Sequence, residues 1–196
     1  MPETLKKLVD IISFLPWIWE KTAIKLAFFL LKSNPNYLRN FSSSLEKIQK
    51  DIKECKICFS YTDKSNEICE ICENANRDTN IICVVEDYLD MVSIEKLHIY
   101  KWQYHILGWS ISPINWVLSK DLKFIELFER IKKGNFSEVI IATNPNIEWE
   151  ATSMYIKENI PNKEIKITRL SKWLPNSGYI EYADEITLIN AFKGRN

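Results

Sequence analysis

Glycine is scarce in this sequence: there are four in 196 residues, where the usual share of about 7% predicts about 14. No low-complexity tract and no internal repeat is visible, which argues against linker-like and solenoid architectures. No long apolar run is present either. The longest, from Ile24 to Leu31, is interrupted by Lys25 and falls short of the ~20 residues that a membrane span needs. The N-terminal stretch Met-Pro-Glu-Thr-Leu-Lys-Lys leads into an amphipathic pattern and lacks a cleavable apolar core, so no signal peptide and a cytoplasmic address are expected. Net charge is absent too, at 26 basic against 26 acidic residues, so bulk charge does not by itself point to a polyanionic partner.

The charge that is present is unevenly spread. Residues 1–60 carry a balance of +4, residues 61–100 of −6 and residues 101–196 of +2. A basic N-terminal part suits a polyanion, and an acidic middle suits a metal or a basic partner, although solvated helix faces give the same pattern. Leu5, Leu8, Val9 and Ile12 share one helical face, and Leu15-Pro16 interrupts it. Thr22 is placed to cap a second helix, through Lys32, with Leu26, Phe29 and Leu30 inward. Ser33-Asn34-Pro35-Asn36 reads as its stop, with a third helix from Ser44 to Lys53. Residues 55–80 are short, polar and turn-rich, without a core of their own.

From Ile81 the texture changes. Ile81 to Val85 is a continuous apolar run, as in a strand buried on both faces. Further strands are expected at Tyr104–Leu107, Val139–Thr143, Ile165–Leu170 and Ile186–Leu188. Helices are expected at Asp90–Leu97, Leu122–Lys133 and Glu148–Asn159. That alternation predicts an α/β fold, with a mostly parallel sheet flanked by helices behind a helical N-terminal module.

Cys55, Cys58, Cys69 and Cys72 form C-x2-C-x10-C-x2-C. Two close pairs across a short loop place four thiolates around one Zn²⁺, and a site closed by four ligands is structural rather than catalytic. Disulfides, or unrelated thiols, are the alternatives, and a reducing cytosol disfavours disulfides. Cys83 sits within the apolar run and reads as a buried core thiol. Lys21 and Lys25 lie one turn apart, on one face of the second helix. A helix, a short hairpin and a second helix suit phosphate held on backbone N–H groups. A plain helical pair with solvated lysines fits the spacing as well, because such a hairpin needs Gly and this one shows Trp. Glu86 follows the buried run directly and Asp90 lies four residues later, where active sites gather in parallel sheets. A solvated loop with a helix-initiating acid is the alternative. The stretch Thr143-Asn144-Pro145-Asn146 offers amides where a Mg²⁺ site wants acids.

Taken in order, these parts resemble the bacterial recombination mediator family RecR. The resemblance rests on Leu26-Ala27-Phe28, the four cysteines, Ile82 to Glu86, Tyr104 to Gly108, Ile111-Ser112-Pro113, Ala142 to Pro145, Glu150-Ala151-Thr152, Leu174-Pro175 and Glu181 to Glu185. It implies a helix-hairpin-helix over 1–53, a small zinc module over 54–79 with one structural Zn ion, a Toprim domain over 80–175 and a C-terminal strand/helix segment over 176–196. It also implies a non-catalytic DNA-binding scaffold at the nucleoid, with little sequence preference. Such a scaffold forms homo-oligomeric clamps, dimers or tetramers, and works with RecO- and RecF-like partners. Lys21 and Lys25 match its DNA-facing positions, and Glu86 and Asp90 its acidic Toprim positions. Toprim enzymes pair the strand-end Glu with Asp-x-Asp to hold Mg²⁺, and here Asn144 and Asn146 lie about where that pair is needed. The segment Glu181 to Glu185 matches a motif compared to a Walker B strand. No Walker A loop accompanies it, so ATP hydrolysis is not inferred. A Mg-dependent Toprim nuclease or primase-like enzyme acting through Glu86 and Asp90 is the alternative, and a module that binds only proteins is a third reading.

The departures from the resemblance share one form. Trp17, Trp19, Trp102, Trp109, Trp116, Trp149 and Trp173 stand where the family has, or commonly has, glycine. Glycine serves positive φ and close backbone approach, and Trp serves neither. Seven such replacements, each costing a few kcal/mol or so, exceed a typical stability of about 5–15 kcal/mol. The seven are therefore read as UGA codons that the source organism decodes as glycine, against the alternative of genuine tryptophans in a drifted sequence.

Overall fold

The computed structural model describes residues 1–112, 116–144, 147–162, 164–171 and 179–196, without the side chains of 147–149. The chain divides into two compact units, Met1–Ile52 and Lys53–Asn196.

The first unit holds α1 (Glu3–Ser13), α2 (Glu20–Lys32) and α3 (Pro35–Asp51). Val9 and Ile12 of α1 pack on Ala23 and Ala27 of α2, with Leu5, Leu8, Ile18, Ile24 and Leu30 around them. The two alanines present almost no side chain, so the helices meet closely, and this corrects the expected inward face. Leu30 is half-buried, but Leu26 and Phe29 are exposed. Trp19 rather than Thr22 is the N-cap of α2. The expected stop before a third helix is in fact its start. Asn34 Oδ1 accepts the Asn36 N–H at 2.8 Å and Pro35 opens the first turn, where a missing N–H costs nothing.

The second unit opens with a short antiparallel ribbon, β1 (Lys53–Glu54) on β2 (Tyr61–Thr62), followed by α4 (Glu70–Glu73). Four parallel strands follow: β3 (Asp78–Val85), β4 (Trp102–Ile106), β5 (Glu138–Ala142) and β6 (Lys166–Arg169), in the order β4-β3-β5-β6. Helices α5 (Tyr88–Glu95), α6 (Phe124–Lys133), α7 (Ile147–Asn159) and α8 (Glu185–Lys193) complete the unit. Alternate residues of each strand enter separate cores. Cys83, Val85, Tyr104, Ile106, Ile140 and Ala142 pack with Met91 and Ile94 of α5 and with Leu188, Ala191 and Phe192 of α8. Ile82, Val84, Val139 and Ile141 pack with Phe124, Leu127 and Ile131 of α6 and with Ile156 of α7. Burial on both faces is why the central strands read as unbroken apolar runs.

Ile186–Leu188, expected as a strand, is part of α8. Asp184 caps that helix, its carboxylate accepting the Thr187 N–H at 3.0 Å and hydroxyl at 2.7 Å. Leu188, Ala191 and Phe192 then recur at helical spacing. No described helix is long and apolar enough to cross a membrane.

Candidate metal centre and strand-end acidic site

The four cysteines come together without a disulfide among them. All four sulfur atoms lie within 4.8 Å of one another, and Cys58 Sγ is 3.5 Å from Cys69 Sγ. Four thiolates at about 2.3 Å from one Zn²⁺ stand about 3.8 Å apart in a tetrahedron, so the donor set fits a structural zinc site. The Cys69 N–H points at Cys55 Sγ from 3.4 Å. Bonds from Cys58 and Cys72 hold the Cys69 thiol well below its ordinary pKa, while the shared proton pushes Cys58 and Cys72 above theirs. A divalent cation bound by the four sulfurs would take the place of the shared protons and offset the crowded negative charge. Around the sulfurs the apolar packing is thin, with Ile71 half-buried against them, so a metal would supply much of what holds the module together. Cys83 lies apart, fully buried in the sheet, and desolvation raises its pKa.

The first pair of cysteines is fastened to the sheet. The Ile106 N–H donates to Cys58 O at 2.9 Å. The Phe59 ring meets the His105 ring edge-on at 5.3 Å, and Lys123 Nζ stands 5.0 Å over Phe59. His105 is buried, and desolvation lowers its pKa to about 3. Its Nε2 lies 2.8 Å from Lys123 O, so the neutral ring donates from Nε2.

Glu86 and Asp90 sit together beyond the end of β3. Asp87 caps α5, accepting the Leu89 N–H at 2.7 Å and the Asp90 N–H at 3.1 Å, and Asp90 Oδ2 reaches back to the Asp87 N–H at 3.4 Å. The Asp90 carboxyl is buried, and its pKa is pushed up to about 8, first by desolvation and then by the charges of Asp87, Glu86 and Glu181. Glu86 is engaged by Asn144 at the end of β5. The Asn144 N–H donates to Glu86 Oε1 at 2.9 Å and Nδ2 to Oε2 at 2.7 Å. Asn144 Oδ1 in turn accepts the Ile180 N–H at 2.8 Å. The amide-bearing loop thus ties the strand-end acid to the C-terminal segment. The sequence signalled this only as an unusual pair of amides, and the link to Ile180 carried no signal at all. Asn146 lies outside the described residues.

Lys21 and Lys25 are both exposed on α2, opposite the Ala23 and Ala27 face. The turn before them runs Leu15-Pro16-Trp17-Ile18, closed by the Ile18 N–H on Leu15 O at 3.2 Å, with Trp17 at φ 65°. Pro second and a left-handed residue third is the pattern that glycine fills in such turns. Trp116 also stands in the left-handed region, at φ 58°. Trp19 and Trp109 are exposed, whereas Trp102 is buried against Tyr100 and Phe192, its indole N–H without a well-aligned acceptor. Trp173 and the side chain of Trp149 lie outside the described residues.

The second unit is a parallel sheet between helices with an acid at the end of β3, and the Toprim domain family model matches residues 80–171. The RecR C-terminal family model matches residues 178–196. With the four-cysteine cluster ahead of both matches, the chain belongs to the RecR family.

Proposed function

We propose that the protein is a non-catalytic DNA-binding scaffold of recombinational repair. In this reading α1, the Leu15–Ile18 turn and α2 are a helix-hairpin-helix, and Lys21 and Lys25 hold phosphate beside the first-turn amides of α2. The four cysteines carry one structural zinc. The scaffold acts in the cytoplasm at the nucleoid, as a homo-oligomer with RecO- and RecF-like partners. Family membership supports the repair role. The observation that most favours a non-catalytic Toprim centre is the engagement of both Glu86 oxygens by Asn144. A magnesium ion there would compete with two hydrogen bonds for the Glu86 oxygens and would find an amide where a second carboxylate is wanted.

Reversing both lysines (Lys21→Glu with Lys25→Glu) is expected to weaken DNA binding at least tenfold in dilute buffer. The slope of log affinity against log salt should fall by about 2. Unchanged affinity and slope would remove the lysines from the interface. Strand cleavage or primer synthesis that needs Mg²⁺ and disappears in Glu86→Gln would establish the enzymatic alternative instead.

A further inference from the structure

Strand β4 is an edge of the sheet, and an open edge invites pairing with another strand. In a parallel strand, alternate peptide groups point outward, here those of Trp102, Tyr104 and Ile106. Each has an outward partner that is not a strand of the sheet. Trp102 O accepts Arg77 Nη1 at 3.4 Å, Tyr104 O accepts Arg130 Nη1 at 2.6 Å, and the Ile106 N–H donates to Cys58 O at 2.9 Å. Two of these three closures involve Arg130 or the first cysteine pair, and Arg130 joins them. Its Nη1 also donates to Ile57 O at 3.3 Å, inside the Cys55-to-Cys58 turn, while Nη2 donates to Gln103 Oε1 at 2.6 Å. The guanidinium carbon lies 6.0 Å from the centre of the Phe136 ring.

We propose that Arg130 is the outer residue of the metal centre: it pins the first cysteine turn to the edge of β4 and slows the departure of zinc. The inference rests on the reading that the cluster holds zinc. Zn²⁺ with four thiolates keeps excess negative charge, and a half-buried guanidinium beside it offsets that charge. Burial pulls the Arg130 pKa down, and the charges of the four cysteines offset that in part. The planar fork also matters, because it reaches Ile57 O, Tyr104 O and Gln103 Oε1 together, which a single ammonium group does not. In this proposal the step that Arg130 opposes is loosening of the first cysteine turn from the sheet edge, and the edge opens when the turn leaves.

The test uses the full chain loaded with zinc, challenged with an excess of a chromophoric chelator. Zinc content of the wild type comes first, and a zinc-free protein would overturn both the reading of the cluster and this inference. With zinc present, Arg130→Gln is expected to speed release by about tenfold or more, the usual range for residues behind metal ligands, and Arg130→Lys to restore part of the loss. Hydrogen exchange of the Ile106 amide should accelerate in Arg130→Gln, while Ile140 and Ile141 of β5 keep their protection. A bound zinc that leaves the wild type and both variants at the same rate would overturn the role of Arg130 and leave the zinc reading standing. Should Arg130→Gln fail to fold, Arg130→Lys and Gln103→Ala carry the same comparison, and wild-type release from both would overturn the proposal.

Discussion

Asp90 is a carboxyl group kept out of water and ringed by Asp87, Glu86 and Glu181, which together push its pKa to about 8. An unfolded Asp titrates near 3.9. The folded state therefore holds its proton after the unfolded state has lost it. The stability this contributes is complete below about pH 4 and is lost as pH rises to about 8, on the order of a few kcal/mol across the window. Asp90→Asn keeps an acceptor for the Asp87 N–H without a titrating proton. Denaturant midpoints between pH 4 and 9 should fall less steeply for Asp90→Asn than for the wild type, and the variant should be the more stable at pH 8. A wild-type slope in the variant would assign the dependence to another group. Trp17 and Trp116 make a second residue-scale case. Both are almost fully exposed and both hold positive φ, at a cost of about 1–2 kcal/mol each for a residue with a Cβ. Trp17→Gly and Trp116→Gly should each raise thermal stability, and UGA at the seven codons would make glycine the native residue. UGG there would end that idea.

Helix α3 presents Tyr37, Phe41, Leu45 and Ile48 at helical spacing, and all four are exposed. A helix of this length gains most of its stability from packing an apolar stripe, and no residue of α3 is buried. In the homo-oligomer proposed above, the same stripe from a second copy would be the cover. Phe41→Glu with Leu45→Glu is expected to shift the protein to a monomer in sizing chromatography at fixed loading. An unchanged elution position would move the interface elsewhere. The start of α3 and the nature of α8 were also the elements least legible in the sequence. Proline both ends a helix and opens one, so Asn34-Pro35 reads either way until the cap is seen. A three-residue apolar run such as Ile186–Leu188 is too short to carry a period. The central strands were legible because burial on both faces leaves an unbroken run.

At the scale of the whole molecule, two parts of the second unit differ in what holds them. The sheet carries a packed core on each face, whereas the cysteine module has only a small apolar cluster around its sulfurs and a few ties to the edge of β4. Removing metal should therefore act unevenly. A strong chelator is expected to lower the melting temperature by several degrees and to expose the amides of residues 53–77, while β3 and β5 stay protected. Melting curves that coincide with and without chelator would sink the structural metal.

The sequence by itself determined the four-cysteine cluster, the parallel α/β architecture and the strand-end placement of Glu86. Each is written in local spacing, and short-range geometry turns local spacing directly into structure. The tertiary structure alone decided that Asn144 occupies Glu86 and passes the link to Ile180, that Arg130 reaches Ile57, and that Asp90 is buried. These groups are brought together by the order of strands in the sheet, and linear spacing does not encode which distant loops meet when the strands stack.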